Sequence, residues 1–219
     1  MSQPIRIDFV SDVVCPWCAV GLASLLRAME KIGPGLQMQL YFQPFELNPD
    51  MPAEGESIAE HLGRKYGMSV EQLRQNSEAL RQRAAALGFV IDLKKRDRIY
   101  NTFNAHRLLY WAGTQSRDAE LALKLALLRA YHSEGRNVSD TAVLIAIAGQ
   151  AGLDTARAAQ VLASDEYSSE VRARENFYHE RGISAVPSAI FNERHLIQGG
   201  QPPEAFEQAL RQLSGIAAV

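Results

Sequence analysis

The sequence has few cysteines, no long apolar run and almost no excess of either charge. Cys15 and Cys18 are the only cysteines among 219 residues, which excludes a small disulfide-rich protein. The longest apolar stretch, residues 142–148, is far shorter than the roughly 20 residues of a membrane-spanning helix. Lys and Arg total 23 against 25 Asp and Glu, so the net charge of −2 gives no bulk attraction for nucleic acid or anionic lipid. We therefore expect neither a nucleic-acid nor a membrane partner.

The remaining composition is that of a globular protein. Apolar residues make up 47% and charged residues 22%, and a chain of this length buries close to three-quarters of its surface on folding. Residues 1–10 do not combine a basic start, an apolar run and a small-residue cleavage site, which together mark a secreted precursor. We therefore expect a cytoplasmic protein.

Strand patterns occur at both ends of the chain, and helical patterns fill the middle. Alternating apolar residues, turn residues and helix formers predict the following elements: a strand over 5–10, a helix over 19–32, a strand over 36–45, a β-hairpin over 188–199 and a last helix from 201. Between about 57 and 181, helix-capping residues alternate with glycine stops. The predicted order is strand–helix–strand, a helical block, then hairpin–helix.

The segment Cys15-Pro16-Trp17-Cys18 lies between the first predicted strand and the first predicted helix. Two intervening residues allow both sulfurs to meet in the first helical turn, where free N–H groups and the helix dipole favour a thiolate. Pro16 suits the first helical position because its backbone N carries no hydrogen. We expect Cys15 to be an exposed nucleophile of low pKa and Cys18 to be the more buried resolving thiol.

A metal site, a structural disulfide and a pair of inert thiols are weaker hypotheses for the two cysteines. A structural zinc site needs four ligands, and none of the five histidines has the spacing that would complete one, so we predict no metal. A structural disulfide is disfavoured in a reducing cytosol. Two inert buried thiols stay an alternative, because free cysteine is commonly buried.

A late proline supplies the second element of the pattern. Val186-Pro187 directly precedes the predicted hairpin. Together with the early Cys-X-X-Cys, this arrangement resembles the thioredoxin superfamily, in which such a proline is cis and packs beside the reactive thiols. The helical block resembles that of the DsbA-like branch, and three segments resemble the FrnE-like group of cytoplasmic dithiol oxidoreductases and isomerases: residues 11–18, 44–49 and 104–108.

The resemblance implies a fold class, a domain plan and an activity. We expect an α/β thioredoxin-like domain over 1–55 and 181–219, with an inserted all-α domain over 56–180. The implied activity is thiol–disulfide exchange with a disulfide-containing protein or a small thiol, with Cys15 as nucleophile, Cys18 as resolving thiol, and Val186 with Pro187 as the substrate-binding shelf. No cofactor is required, glutathione is a candidate reductant or mixed-disulfide partner, and a homodimer is compatible with the sequence.

Two other functions stay open. The same branch includes glutathione-dependent isomerases and kappa-class transferases, which typically carry serine at the position of Cys15. A chaperone-like module that holds polypeptides and leaves its dithiol idle is the other alternative. Replacing Cys18 with serine separates these hypotheses, because only dithiol exchange needs both sulfurs.

Five further polar or aromatic residues are candidates for the neighbourhood of the thiols. We expect Trp17 to shape the reactive surface together with Pro16. Asp12 is expected to hydrogen-bond the backbone of its own loop, with proton transfer to Cys18 as the alternative. Asp8 is expected to face outward, although a buried Asp8 could serve Cys18 as a base. His106 is expected to be a core histidine bonded to a carbonyl, although the resemblance implies that its helix faces the dithiol. Asn48 could reach the same cleft.

Overall fold

The computed structural model describes residues 4–215, which form a four-stranded sheet with helices on both faces and a separate two-stranded sheet. In chain order the elements are β1 (Ile5–Ser11), α1 (Pro16–Ile32), β2 (Met38–Pro44), β3 (Glu56–Ser57), α2 (Ile58–Tyr66), α3 (Val70–Ala86), β4 (Arg98–Ile99), α4 (Phe103–Gln115), α5 (Arg117–His132), α6 (Thr141–Gln150), α7 (Thr155–Leu162), α8 (Ser168–Glu180), β5 (Ser188–Phe191), β6 (His195–Gln198) and α9 (Pro203–Ser214).

The sheet joins the two ends of the chain in the order β2-β1-β5-β6. Strand β1 is parallel to β2, with Ile7 opposite Leu40, and antiparallel to β5, with Phe9 opposite Ala189. The predicted strand–helix–strand and hairpin–helix units are both present. The hairpin turns through Asn192 and Glu193, both of which have positive φ.

Strand β1 is central, so both of its faces are covered. Its residues Ile5, Ile7 and Phe9 pack with α1 and α9, whereas Val10 packs with Tyr178 of α8. Asp8 points to the α8 side and is 2% exposed, so the expectation that it faces outward is wrong. Its carboxylate accepts hydrogen bonds from Arg6 and from Gln43, which together compensate the buried charge.

Four helices of the middle segment, α2, α3, α6 and α7, begin at the predicted capping residues. Ser57, Ser69, Asp140 and Asp154 each accept a hydrogen bond from a backbone N–H of the helix that they precede. Strands β3 and β4, two residues each, were not predicted. The domain boundaries near residues 55 and 180 stay predictions.

The chain on either side of the two cysteines packs into two apolar cores, one in the helical segment and one against the sheet. Val13 and Val14 belong to the apolar core of the helical segment, together with residues of α4–α7. Ala19 and Leu22, just beyond Cys18, belong to the core between the sheet, α1 and α9. The two cysteines are therefore held between two apolar clusters, which fixes their position relative to both.

Candidate active site

Cys15 and Cys18 occupy the first turn of α1. Cys15 is the N-cap residue with extended backbone angles, Pro16 follows as the first helical residue, and the N–H of Cys18 donates to the carbonyl of Cys15 at 3.1 Å. Proline fits here because the first N–H groups of a helix have no partner within the helix. Both cysteines are free thiols.

The two thiols differ in acidity. A hydrogen bond from the Cys18 thiol lowers the pKa of Cys15, and this effect outweighs burial and the negative charge of Asp12. Burial raises the pKa of Cys18 well above its ordinary value, and its hydrogen bond to Cys15 raises it further. Of the two, Cys15 is thus the sulfur that carries negative charge more readily, as the helix N-terminus favours.

Cys15 is less accessible than the sequence suggested. It is 4% exposed, and its Sγ lies 3.7 Å from the carbonyl oxygen of Val186. The expectation of an exposed nucleophile is wrong, because the chain at Val186 covers the sulfur across the end of the sheet. Cys18 is fully buried, as expected for the second thiol.

Val186 and Pro187 lie directly against the dithiol helix. The peptide bond between them is cis, as the resemblance implied. Gly21 of α1 lies so close to this proline that an added Cβ would sit 2.8 Å from Pro187 Cγ. A side chain at position 21 would therefore push Pro187 away from the helix that carries both sulfurs.

Trp17 is the exposed part of the site. Its side chain is 41% exposed, and the guanidinium of Arg83 lies 5.5 Å from the centre of its ring. Arg83 also donates to the carbonyl of Gly200 at 2.7 Å, and an added Cβ on Gly200 would meet the Trp17 ring at 2.9 Å. The indole thus lies on the surface beside Cys15, held between α3 and the loop before α9.

Asp12 joins the dithiol loop to the helical segment. Its Oδ2 accepts from the N–H of Leu47 at 2.8 Å, and its Oδ1 lies 3.5 Å from Nε2 of His106. Burial raises the pKa of Asp12, but the interactions with His106 and with the Leu47 N–H lower it more, so the net shift is downward. The expected bond within its own loop is wrong, since the accepted N–H belongs to the loop after β2.

His106 and Asn48 differ in their relation to the thiols. His106 is 3% exposed, which confirms the expectation of a core histidine. Its Nε2 faces the Asp12 carboxylate, so the expected bond to a carbonyl is wrong for that nitrogen. Asn48 follows Leu47 and thus lies close to Asp12 in the chain path, but its Oδ1 accepts from Lys65 at 3.1 Å. The structure therefore brings His106, rather than Asn48, into the polar group behind the dithiol.

Several buried charged residues were not predicted from the sequence, Lys124 and Glu46 among them. Lys124 of α5 is 1% exposed, and Glu46, directly before Leu47, is 6% exposed and paired with Arg172. Burial, followed by the charge of Glu175, raises the pKa of Glu46. The available signal for Lys124 was its place in the apolar stripe of α5, since Leu127, Leu128 and Tyr131 follow it at helical spacing.

The described residues contain neither a metal-binding cluster nor a membrane-spanning helix. Among residues 4–215, no group of three or more His, Cys, Asp or Glu side chains is arranged to hold a metal ion. No helix between Pro4 and Gly215 is both long and apolar enough to cross a membrane.

Comparison with known proteins places this geometry in a family. The DSBA-like thioredoxin domain matches residues 6–211. A probable DsbA oxidoreductase from Streptomyces coelicolor is 33% identical, with 98% of this chain and 92% of that chain covered and a TM-score of 0.87. This likeness confirms the predicted thioredoxin-like α/β fold.

Two more distant structures share the fold alone. A 2-hydroxychromene-2-carboxylate isomerase is 16% identical, with a TM-score of 0.70 and coverage of 97% of this chain and 100% of that chain. The cytosolic disulfide reductase DsbM from Pseudomonas aeruginosa, solved with GSH, is 17% identical, with a TM-score of 0.65 and coverage of 96% and 99%.

Proposed function

Because the chain belongs to the family of DSBA-like thioredoxin domains, we propose that it is a thiol–disulfide oxidoreductase that acts through Cys15 and Cys18. The observation that carries the proposal is the contrast between the two thiols. Cys15, at the start of α1, has a lowered pKa, whereas Cys18 is fully buried and has a raised pKa. Disulfide exchange needs this pair of roles, one sulfur to attack and one to resolve.

The reaction proceeds in two exchanges. The Cys15 thiolate attacks one sulfur of a substrate disulfide, and the other substrate sulfur leaves as a thiolate. Cys18 then loses its proton and attacks Cys15, which releases the second substrate thiolate and leaves a Cys15–Cys18 disulfide. Two electrons pass from the protein to the substrate, and the reverse sequence oxidises a substrate dithiol.

Val186 and Pro187 supply the surface on which a substrate strand lies. The Val186 backbone is next to Cys15 Sγ, so an extended substrate segment can pair with it and bring its disulfide to the thiol. Trp17, with its exposed ring beside the nucleophile, adds an apolar contact for the same segment. The substrate class is a disulfide-containing polypeptide or a small disulfide.

We place the activity in the cytoplasm, in the direction of reduction or isomerisation. A cytosolic glutathione pool more reducing than about −220 mV keeps a dithiol of higher potential reduced. Glutathione is the proposed reductant, and it forms a mixed disulfide on Cys15 during regeneration. The description of DsbM as a cytosolic reductase, solved with GSH, supports this choice.

The reduction potential of the Cys15–Cys18 pair tests the proposal. The protein is equilibrated in glutathione buffers of graded ratio, free thiols are trapped, and the oxidised fraction is measured. We expect one reversible two-electron transition between about −120 and −280 mV. A protein whose thiols stay reduced throughout, or whose Cys15 is only capped by glutathione, would contradict the dithiol mechanism.

The serine variants separate the alternatives. With Cys18→Ser we expect a stable mixed disulfide on Cys15 and loss of turnover. Full turnover of a small aromatic substrate by that variant would favour a glutathione-dependent isomerase or transferase instead. Suppression of aggregation that survives loss of both thiols, in the absence of any redox transition, would favour a polypeptide-holding module.

A further inference from the structure

Arg83 is an exposed cation at the edge of the dithiol site, and the proposed reaction does not use it. It lies near the end of α3, and its guanidinium donates to the carbonyl of Gly200 at 2.7 Å. Among residues 4–215 it has no other hydrogen-bond acceptor and no carboxylate within ion-pair distance. A guanidinium has five N–H donors, so most of those on Arg83 stay available to a ligand.

Trp17 connects Arg83 with the reactive turn of α1. The guanidinium lies 5.5 Å from the centre of the Trp17 ring, which is 41% exposed. Trp17 follows Cys15 by two residues in the first turn of the helix. A substrate that contacts this ring beside Cys15 therefore also comes close to the guanidinium.

The loop after β6 gives a second connection, through the backbone. Gly199, directly before the residue whose carbonyl accepts from Arg83, donates its N–H to the carbonyl of Pro187 at 2.8 Å. The residue before this proline, Val186, has its carbonyl oxygen 3.7 Å from Cys15 Sγ. Arg83 is thus bonded to the loop that is tied to the proposed substrate shelf.

The sequence of α3 explains why this arginine has no acidic partner. The other two arginines of the helix, Arg74 and Arg81, each bind a glutamate three positions earlier, Glu71 and Glu78. The positions three and four residues from Arg83 on either side hold only alanine or leucine. The unpaired guanidinium of α3 is therefore the one beside the reactive turn. Such a group binds a carboxylate through two parallel N–H bonds.

We propose that Arg83 selects substrates that carry a carboxylate close to the reacting disulfide, an inference that rests on the function proposed above. The guanidinium donates N–H bonds to this carboxylate while a substrate sulfur meets Cys15. Attack by Cys15 and resolution by Cys18 take no proton or electron from Arg83. Arg83 is thus a specificity-determining residue and not a catalytic one.

Three peptide disulfides that differ in one side chain test this preference. Each is a symmetric dimer of acetyl-Gly-Cys-Gly-X-amide, in which X is Asp, Asn or Lys, and the capped ends leave X as the only charged group. The reduced protein is mixed with excess disulfide and quenched with acid, and the oxidised fraction is measured by mass spectrometry. The readout is the ratio of the Asp rate to the Asn rate, because any effect on Cys15 itself divides out of this ratio.

For the unmodified protein we expect the Asp peptide to react about threefold faster than the Asn peptide, as an exposed ion pair would give. Arg83→Gln should make the two rates equal, and Arg83→Lys should keep part of the preference. Arg83→Glu should invert it, so that the Asp peptide becomes slower and the Lys peptide faster than the Asn peptide. A loss of packing around Trp17 would not produce this inversion. The preference should also weaken in about 0.5 M salt, which screens exposed charges.

Arg81→Gln is the matched control, because Arg81 lies on the same helix and its guanidinium already binds Glu78 at 2.6 and 2.8 Å. This variant should keep the ratio of the unmodified protein, and a fall equal to that in Arg83→Gln would assign the preference to the overall charge of α3. That result, equal Asp and Asn rates in the unmodified protein, or a ratio that Arg83→Glu does not invert would overturn the role of Arg83 alone. Failure of all three peptides to oxidise the reduced protein would instead refute the proposed thiol–disulfide exchange.

Discussion

The contact between Gly21 and Pro187 allows a test of how tightly the dithiol helix packs on the loop beside it. Replacing glycine with alanine inside a helix ordinarily stabilises a protein by about 0.5–1 kcal/mol, because the unfolded chain loses freedom. At position 21 the added methyl would lie 2.8 Å from Pro187 Cγ and 3.5 Å from Gly200 Cα. A ring atom cannot swing aside as the end of a flexible side chain can, so the backbone or the helix must shift.

Such overpacking costs about 1–3 kcal/mol, which exceeds the usual gain. We expect Gly21→Ala to lower the free energy of unfolding by about 1 kcal/mol, and the melting temperature by about 2–4 °C. Gly63→Ala is the matched control, because the nearest described atom to its added Cβ is Met68 O at 3.8 Å. That variant should gain about 0.5–1 kcal/mol.

Urea unfolding of the three proteins measures both changes under the same conditions. The prediction depends on the opposite signs of the two substitutions rather than on the size of either. If Gly21→Ala were stabilising to the same extent as Gly63→Ala, Pro187 would have room to move, and the tight contact between the dithiol helix and the proline would be refuted.

Three further predictions concern titratable groups. Cys18→Ala should raise the pKa of Cys15 above that in Cys18→Ser, because alanine cannot donate the hydrogen bond that lowers it; the pH dependence of alkylation measures this. Asp12→Asn should destabilise the protein at neutral pH, and the difference should shrink as the pH falls below about 4, because the folded carboxyl has the lower pKa. Burial raises the pKa of Glu120 to about 7. As the pH rises from about 4.5 to 7, the unmodified protein should therefore lose stability relative to Glu120→Gln. Urea unfolding at a series of pH values tests the predictions for both Asp12 and Glu120.

The sequence predicted those parts of the fold whose causes are local. The apolar residues Ile5, Ile7 and Phe9 alternate with other residues, which predicts that one face of β1 is covered. The structure confirms this, because that face packs against α1 and α9. Helix starts at Ser57 and Asp140 were predictable because a side chain there bonds the backbone N–H of a residue three positions later. Such signals need no knowledge of the rest of the chain.

The errors arose where distant segments meet. Cys15 is covered by the backbone of Val186, which lies 171 positions away in the sequence. The carboxylate of Asp12 accepts a hydrogen bond from the N–H of Leu47. Asp8 is buried because α8 covers the second face of β1, which alternation along one strand cannot reveal. A single sequence identifies the chemical groups of these residues but not the distant segments that cover and bond them.

The helical segment sets the properties of the dithiol as well as covering the sheet. Val13 and Val14 anchor the loop before Cys15 in the helical core, and His132 holds the carbonyl of Val13 at 3.0 Å. His106 faces Asp12, whose negative charge opposes ionisation of Cys15. A change in α4 or α5 that moved these groups would therefore alter the acidity of both sulfurs without touching Cys15 or Cys18. Because the stability of each thiolate contributes to the equilibrium between dithiol and disulfide, we expect such a change to shift the reduction potential of the proposed redox pair.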